Sequence, residues 1–259
     1  MTVIVVPAAP PRPGLVLPEL AASSPLSERE AADLYAAMLK DTFRAAARSG
    51  GDLLVNYRDE ESIPDEFADT GDQSAEAEVR ALAADALADP DDARFEVQVG
   101  STFSARAGNA VTHLLDEEGV QSVAVAPGTA PLLTRTEIDS AAMKLRRNEV
   151  VLGPSERGRV HFAGFTDTID FEDAYAAPEI ETLTNRAVDA GHDVDFLPAA
   201  TRVETGADLL SQVATLTARA TAGRFVPEHT AALVRELGLR AVEGDGGEPE
   251  LVREETDSS

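Results

Sequence analysis

The sequence contains no cysteine among its 259 residues. Disulfides, thiol nucleophiles and thiolate metal sites are therefore excluded. It also has no apolar run that approaches the roughly 18–20 residues a helix needs to cross a bilayer. The first residues, Met-Thr-Val-Ile-Val-Val-Pro, predict a strand and carry no basic leader. We therefore expect a cytoplasmic protein without a signal peptide.

Basic residues are scarce. Lysine and arginine together number 22 against 47 aspartates and glutamates, which gives a net charge of −25, and only Lys40 and Lys144 are lysines. Nucleic-acid phosphates require a basic stripe, which this sequence lacks, and an anionic membrane surface would repel the chain. We therefore expect neither as a partner. The dispersed negative charge and the shortage of lysine favour adaptation to a salt-rich cytosol.

The melting temperature is expected to rise with KCl into the molar range, most steeply at low concentration. The negative charges repel one another in dilute buffer, and the Debye length falls to about 3 Å at 1 M salt. Thermal scans between about 0.1 M and about 2 M KCl measure this dependence. A melting temperature that does not change over this range would contradict the adaptation to salt.

Predicted strands and helices alternate along the chain. Apolar, β-branched runs predict strands at 2–6, 52–57, 94–100, 121–127, 149–153, 159–165 and 192–198. This alternation predicts one α/β domain over residues 1–242, Rossmann-like, with a mostly parallel central sheet and helices on both faces. Residues 243–259 are acidic and almost without large apolar side chains. We predict a disordered tail there.

Capping signals mark the starts of three predicted helices. Ser27 with Glu30, and Thr134 with Glu137, have the spacing of capping boxes, in which each side chain satisfies the other residue's free backbone N–H. Thr205 precedes a third helix as its N-cap.

Four segments are expected at the carboxyl ends of the strands, where such sheets bind ligands: residues 7–20, 126–131, 153–158 and 202–209. These segments, and the elements between them, contain a series of sequence motifs along the chain. The first contains Pro-Pro-Arg-Pro-Gly at 10–14, and the next helix contains Ala-Ala-Met-Leu-Lys-Asp-Thr-Phe at 36–43. Gln98 and Gly100 end the third predicted strand, and Phe103 and Arg106 follow it. With these motifs the chain resembles the GT-A-type nucleotide-diphospho-sugar transferases and, more distantly, the 2-phospho-lactate guanylyltransferases.

The resemblance implies a GT-A-like fold and a glycosyl or nucleotidyl transfer from a nucleotide donor. It implies a nucleoside diphosphate or nucleotide sugar as the ligand. Carried over position by position, it makes the following residues candidates for nucleotide binding: Arg12, Gly14, Arg106, Gly128, Thr129, Arg157 and Arg159.

The sequence departs from the family at positions where the family has basic residues and aspartates. Leu15, Leu17 and Glu19 stand where the family has basic residues that face phosphates. Family aspartates fall on Thr129, Arg157, Arg202 and Glu204. A divalent ion on a diphosphate needs one or two carboxylates, so we predict no metal and no other cofactor.

Three hypotheses follow for the arginines at this edge. Arg12, Arg106, Arg157 and Arg159 could form one rim that clamps a diphosphate without a metal, with Glu156 as the general base. Alternatively, the protein is a non-catalytic relative that binds a ligand or a partner protein, or a scaffold with a closed cleft. In the simplest interpretation, Arg157 and Arg159 are solvated and pair with nearby acids.

Overall fold

The computed structural model describes residues 1–68, 73–244 and 246–254. The strands that these residues form are β1 Thr2–Ala8, β2 Asp52–Tyr57, β3 Ala93–Val97, β4 Ser122–Val125, β5 Val150–Pro154, β6 Val160–Phe165, β7 Val194–Phe196, β8 Leu239–Glu243 and β9 Pro249–Arg253.

The main sheet has the strand order β3-β2-β1-β4-β6-β5-β7. β1 pairs in parallel with β2 and with β4, β2 pairs in parallel with β3, and β5 pairs in parallel with β7. Only β6 is reversed among these seven strands, because it pairs antiparallel with both β4 and β5. The prediction of one α/β domain with a mostly parallel sheet is confirmed.

The helices of the described residues are α1 Pro18–Ser23, α2 Glu28–Ala47, α3 Ala75–Ala86, α4 Phe103–Thr112, α5 Arg135–Lys144, α6 Glu179–Asp189, α7 Gly206–Thr221 and α8 Glu228–Glu236. None of them is long and apolar enough to span a membrane. The capping boxes of α2 and α5 form as predicted, with the Ser27 and Thr134 hydroxyls accepting the backbone N–H of Glu30 and Glu137.

The alternation of side chains along β1 divides the core between the two faces of the sheet. Ile4 and Val6 belong to the cluster that contains Leu39 and Phe43 of α2. Val3 and Val5 belong to the opposite cluster, which contains side chains of α4 and α6. A third cluster joins α1, α2, α7 and α8. Helices therefore cover both faces of the sheet, as predicted.

The carboxyl-terminal segment corrects one expectation. Residues 249–253, predicted to be disordered, form β9 and pair antiparallel with β8, with Ala241 opposite Leu251. These two apolar side chains pack against the cluster of α7 and α8, which offsets the cost of ordering an acidic segment. The boundary predicted at residue 242 therefore falls inside a hairpin. Residues 245 and 255–259 of the predicted tail lie outside the described residues.

Candidate functional site at the carboxyl edge of the sheet

The loop between β5 and β6 lies at the edge of the sheet where ligands bind in α/β folds. Because β6 runs in reverse, its first residue lies beside the last residues of β5, and a short turn over Glu156–Gly158 joins them. Arg157 adopts a left-handed conformation, with φ of 58°, which is uncommon for a residue other than glycine. The loop therefore holds the Arg157 side chain in a specific direction at some cost in backbone energy.

The Arg157 guanidinium is fixed on one carboxylate. Its Nη2 donates to both oxygens of Asp208, at 2.9 and 2.7 Å, and to the Thr205 hydroxyl at 3.1 Å. The bonds that the described residues give Arg157 all use this one nitrogen. The Arg157 side chain remains half-exposed, whereas Asp208 is buried. The remaining N–H groups of Arg157 are therefore free to face a ligand.

Two further arginines extend this arrangement. Arg159 donates from Nη1 to Glu204 at 2.8 Å and from Nη2 to Asp208 at 2.9 Å. Arg202 donates from Nη1 to Glu179 at 2.8 Å and from Nε to Glu204 at 2.8 Å. The arginines alternate with the carboxylates, and their formal charges cancel. We call this set, Arg157, Arg159, Arg202, Glu179, Glu204 and Asp208, the arginine–carboxylate network.

Asp208 is the centre of the network. Besides two guanidinium groups, its Oδ2 binds the backbone N–H of Glu204 at 3.1 Å and of Thr205 at 3.0 Å. Burial raises the pKa of Asp208, but Arg159, the Glu204 N–H and the Thr205 hydroxyl together hold it below its ordinary value. Asp208 also completes the capping box of α7 with Thr205. The Thr-x-x-Asp spacing at 205–208 would have identified this residue in the sequence.

Glu156, the predicted general base, is held by hydroxyl groups. Its Oε1 accepts from Thr201 at 2.8 Å and its Oε2 from Ser155 at 2.9 Å. Burial raises the pKa of Glu156, yet these bonds and its own backbone N–H lower it below the ordinary value. Glu156 is therefore ionised at neutral pH and is a weak proton acceptor.

Arg12 does not join a rim with Arg157 and Arg159. Its side chain is 2% exposed and pairs with Glu60 at 2.6 Å and Glu78 at 2.8 Å. It also donates to the carbonyl oxygens of residues 67, 68 and 73. The guanidinium thus joins the first loop to Glu60, Glu78 and the backbone of residues 67, 68 and 73. Leu15 and Leu17, in the same first loop, pack against the core.

The candidate residues in the other loops have packing roles. Gly14 has φ of 78°, and a Cβ there would lie 3.0 Å from the Phe67 ring. A Cβ on Gly128 would lie 2.5 Å from Cδ1 of Leu39, so this glycine allows the loop after β4 to contact α2. Thr129 is buried and accepts the Val203 N–H on its carbonyl oxygen at 2.8 Å. Its hydroxyl has no partner among the described residues.

Arg106 lies at the other half of the edge. It donates from Nη1 to the Ser101 carbonyl oxygen at 3.3 Å. It lines a cavity of about 400 Å³ between the end of β3 and α4. The structure therefore separates the predicted rim into the network around Arg157 and Arg159, the buried ion pairs of Arg12, and the cavity beside Arg106.

The residues present do not fit a divalent metal. Within residues 1–68, 73–244 and 246–254, no group of three or more acidic or histidine side chains is placed to hold an ion. Each carboxylate of the network is paired with an arginine, so none of them is free to bind an ion.

Known proteins share the fold. No protein-family model and no curated protein matches the sequence. A putative nucleotide-diphospho-sugar transferase from Desulfovibrio desulfuricans G20 matches with a TM-score of 0.71 and 21% identity, over 91% of this chain and 94% of that one. A 4-diphosphocytidyl-2C-methyl-D-erythritol synthase from Anaerococcus prevotii DSM 20548 matches with a TM-score of 0.50 and 13% identity, over 84% of this chain and 96% of its own.

Proposed function

We propose that this chain, which has the fold of nucleotide-diphospho-sugar transferase-like proteins, binds a nucleoside diphosphate or nucleotide sugar without a divalent ion. The observation that carries the proposal is the position of Arg157. It stands where the resemblance places a metal-binding aspartate, is held there by Asp208, and remains half-exposed. A fixed guanidinium supplies positive charge to a phosphate, as a bound ion would, and adds directed N–H donors.

Binding is better supported than transfer. Two of the three network arginines, Arg159 and Arg202, are largely covered and paired with carboxylates, so they are not available to stabilise a leaving diphosphate. Glu156 is a weak base. A glycosyl or nucleotidyl transfer is the second candidate function, and the free N–H groups of Arg157 favour it, since electrostatic stabilisation of the leaving group is the main requirement of that chemistry.

Calorimetric titration in about 2 M KCl with EDTA tests the proposal, because at this ionic strength only direct contacts survive screening. We expect at least one nucleoside diphosphate or its sugar conjugate to bind with a Kd below about 1 mM. Added Mg²⁺ or Mn²⁺ is expected to change this Kd little, and to bind the protein alone no better than about millimolar. Micromolar metal affinity, or binding that requires the metal, would contradict the proposal.

The Arg157→Ala variant tests whether Arg157 contributes to the binding of the nucleotide. We expect it to weaken binding by about 1–3 kcal/mol, the scale of a charged hydrogen bond lost from a partly desolvated site. Arg240→Ala is the matched control, because Arg240 is exposed on the β8–β9 hairpin and pairs only with the exposed Glu254 among the described residues. A turnover assay with nucleotide sugars separates the two candidate functions, since only the second predicts product.

A further inference from the structure

A cavity of about 430 Å³ lies between the end of α2, the start of α5 and the loop that joins α7 to α8. The ring of Phe225 lines it, together with three arginines, Arg44, Arg48 and Arg135. The cavity is distant from the arginine–carboxylate network, because Asp208 lies in the first turn of α7 and Phe225 follows the last. The helix from residue 208 to residue 221 is about 20 Å long.

Three stretches of the chain without acidic residues meet at this cavity, although the protein has 47 such residues. Residues 42–51, 119–136 and 209–227 contain no aspartate or glutamate, and they supply most of the lining. The two acids that do line the cavity, Asp41 and Glu228, flank these stretches. How much positive charge remains for a ligand therefore depends on what these two carboxylates bind.

Both oxygens of Asp41 are occupied inside the fold. Oδ1 accepts the backbone N–H of His229 at 3.1 Å, and Oδ2 accepts the backbone N–H of Thr230 at 2.8 Å and its hydroxyl at 2.7 Å. Asp41 is buried, and its negative charge faces the positive end of the α8 dipole. It therefore stabilises the start of α8 and does not pair with the arginines of the cavity.

Glu228 is a single exposed carboxylate that several basic groups share. It accepts from Nη1 of Arg44 at 2.5 Å. This bond and the charge of Arg44 lower the pKa of Glu228, and the charges of His229 and Arg48 lower it further. Arg48 thus lies near Glu228, but its side chain has no ion pair or hydrogen bond within the part of the chain that the structure describes. The charge of Arg48 therefore remains available.

Arg135 stands where its own helix disfavours a cation. It is the first residue of α5, at the positive end of the helix dipole. Its Nε donates to Asp139 at 3.2 Å, and its two Nη groups have no partner among the described residues. Arg44 and Arg48 lie at the end of α2, where a helix favours basic residues, so the dipole explains them. It does not explain Arg135, whose position is consistent with an anionic ligand.

Phe225 gives the cavity an apolar wall. Its side chain is 56% exposed. Its carbonyl oxygen accepts from Nη1 of Arg219 at 3.3 Å, and the next residue, Val226, packs against the cluster of α7 and α8. The backbone is therefore anchored while the aromatic ring faces solvent. An exposed ring beside unpaired guanidinium groups suits a ligand that joins a flat ring to an anionic group.

We propose that this cavity binds a small phosphate monoester that carries a flat ring, at a site separate from Arg157. The phosphate lies among the guanidinium groups of Arg44, Arg48 and Arg135, and the ring packs on Phe225. A monoester has three terminal oxygens and close to two negative charges at neutral pH, which several guanidinium groups can share. The volume is within the range of small-molecule sites. The inference does not depend on the proposed function.

Phosphorus NMR titrations of phenyl phosphate and of inorganic phosphate, in EDTA and about 1 M KCl, test this site. We expect phenyl phosphate to bind with a Kd of about 1 mM or below, and inorganic phosphate to bind more weakly. Arg48→Gln should weaken both ligands about 10-fold, as loss of a charged hydrogen bond predicts. Phe225→Ala should weaken phenyl phosphate about 3- to 10-fold and leave inorganic phosphate unchanged.

The matched controls are Arg240→Gln and Phe196→Ala, which replace an exposed arginine and an exposed phenylalanine outside the cavity. Neither should change the affinity for phenyl phosphate. All four variants replace partly or fully exposed side chains, so each should melt with the wild type, which shows that it folds.

Three results would overturn the proposal. The first is that phenyl phosphate does not bind. The second is that Arg240→Gln weakens it as much as Arg48→Gln, since the attraction would then be nonspecific. The third is that phenyl phosphate binds no more tightly than inorganic phosphate, or that Phe225→Ala has no effect, since the ring would then have no place in the site.

The two proposed sites fail independently. Arg157→Ala should leave the affinity for phenyl phosphate unchanged, and Arg48→Gln should leave the affinity for a nucleoside diphosphate unchanged. If Arg48→Gln removed nucleotide binding while Arg157→Ala did not, the nucleotide would occupy this cavity, and both assignments of ligand to site would be wrong.

Discussion

Replacing Asp208 with alanine is expected to lower the free energy of unfolding by about 3–5 kcal/mol, the range for removing one partner of a buried ion pair. Asp208 is 3% exposed and receives Arg157 and Arg159 together with the backbone N–H groups of Glu204 and Thr205. Its loss leaves charge on Arg159 without this partner and removes the Asp208 half of the capping box of α7. Salt should not restore the lost stability, since buried pairs are little screened.

Urea unfolding of the wild type and the variant, followed by circular dichroism, measures this difference. The pKa of Asp208 is lowered in the folded state, so its contribution is fully present above the ordinary aspartate pKa and is lost as the pH falls through the folded value. The two proteins should therefore converge in stability in strong acid. Arg240→Ala removes an exposed pair and should cost no more than about 1 kcal/mol. If Asp208→Ala lowered the free energy of unfolding by no more than Arg240→Ala does, the central role of Asp208 in the network would be contradicted.

Replacing Arg12 with methionine should lower the free energy of unfolding by about 2–4 kcal/mol, because a buried charged network and several carbonyl acceptors lose their donor. Arg12 joins the first loop to Glu60 and Glu78 and to the carbonyl groups of residues 67, 68 and 73. Methionine has a volume similar to that of arginine. The loss of free energy of unfolding therefore measures the missing hydrogen bonds and charge more than a new cavity. Hydrogen exchange should show faster opening of residues 58–68 in the variant.

Arg12→Lys distinguishes charge from geometry. Lysine keeps the charge but cannot present the planar fork that reaches two carboxylates at once, so most of the loss should remain. Nucleotide affinity should change little in either variant, provided that the protein is folded. If Arg12→Met kept its stability and lost its ligand, Arg12 would be a binding residue, as the resemblance implied.

Local patterns in the sequence predicted most of the fold. The capping boxes at Ser27 and Thr134 depend on residues three positions apart, and both form. The β-branched runs predicted the strands of the main sheet, and β2 has the predicted bounds. The strand at 249–253 was missed, because its acidic composition conceals Leu251, whose partner Ala241 lies across a turn. The sequence pattern of one segment cannot show that a residue such as Leu251 is covered by a different segment of the folded chain.

The candidate site was harder to predict for the same reason. The family motif located Arg12, but its partners Glu60 and Glu78 lie 48 and 66 residues away, and only the folded chain brings them together. Arg157 and Arg159 likewise pair with residues of another segment. In a chain with this many acids, the sequence alone does not show which arginines are neutralised.

The pairing of β1 with β4 has a consequence for how the chain reaches its fold. Thr2 lies opposite Ser122 at the centre of the sheet, a separation of 120 residues. Sheets built on such distant pairings form slowly, because a long loop must close before the contact stabilises it. During synthesis the apolar run at Val3–Val6 can pair with β2 long before β4 exists, and its other, unpaired edge invites association with other nascent chains. At molar salt, screening shortens the range of repulsion between such chains, so pairing with β2 is what protects one edge of β1 until β4 is made.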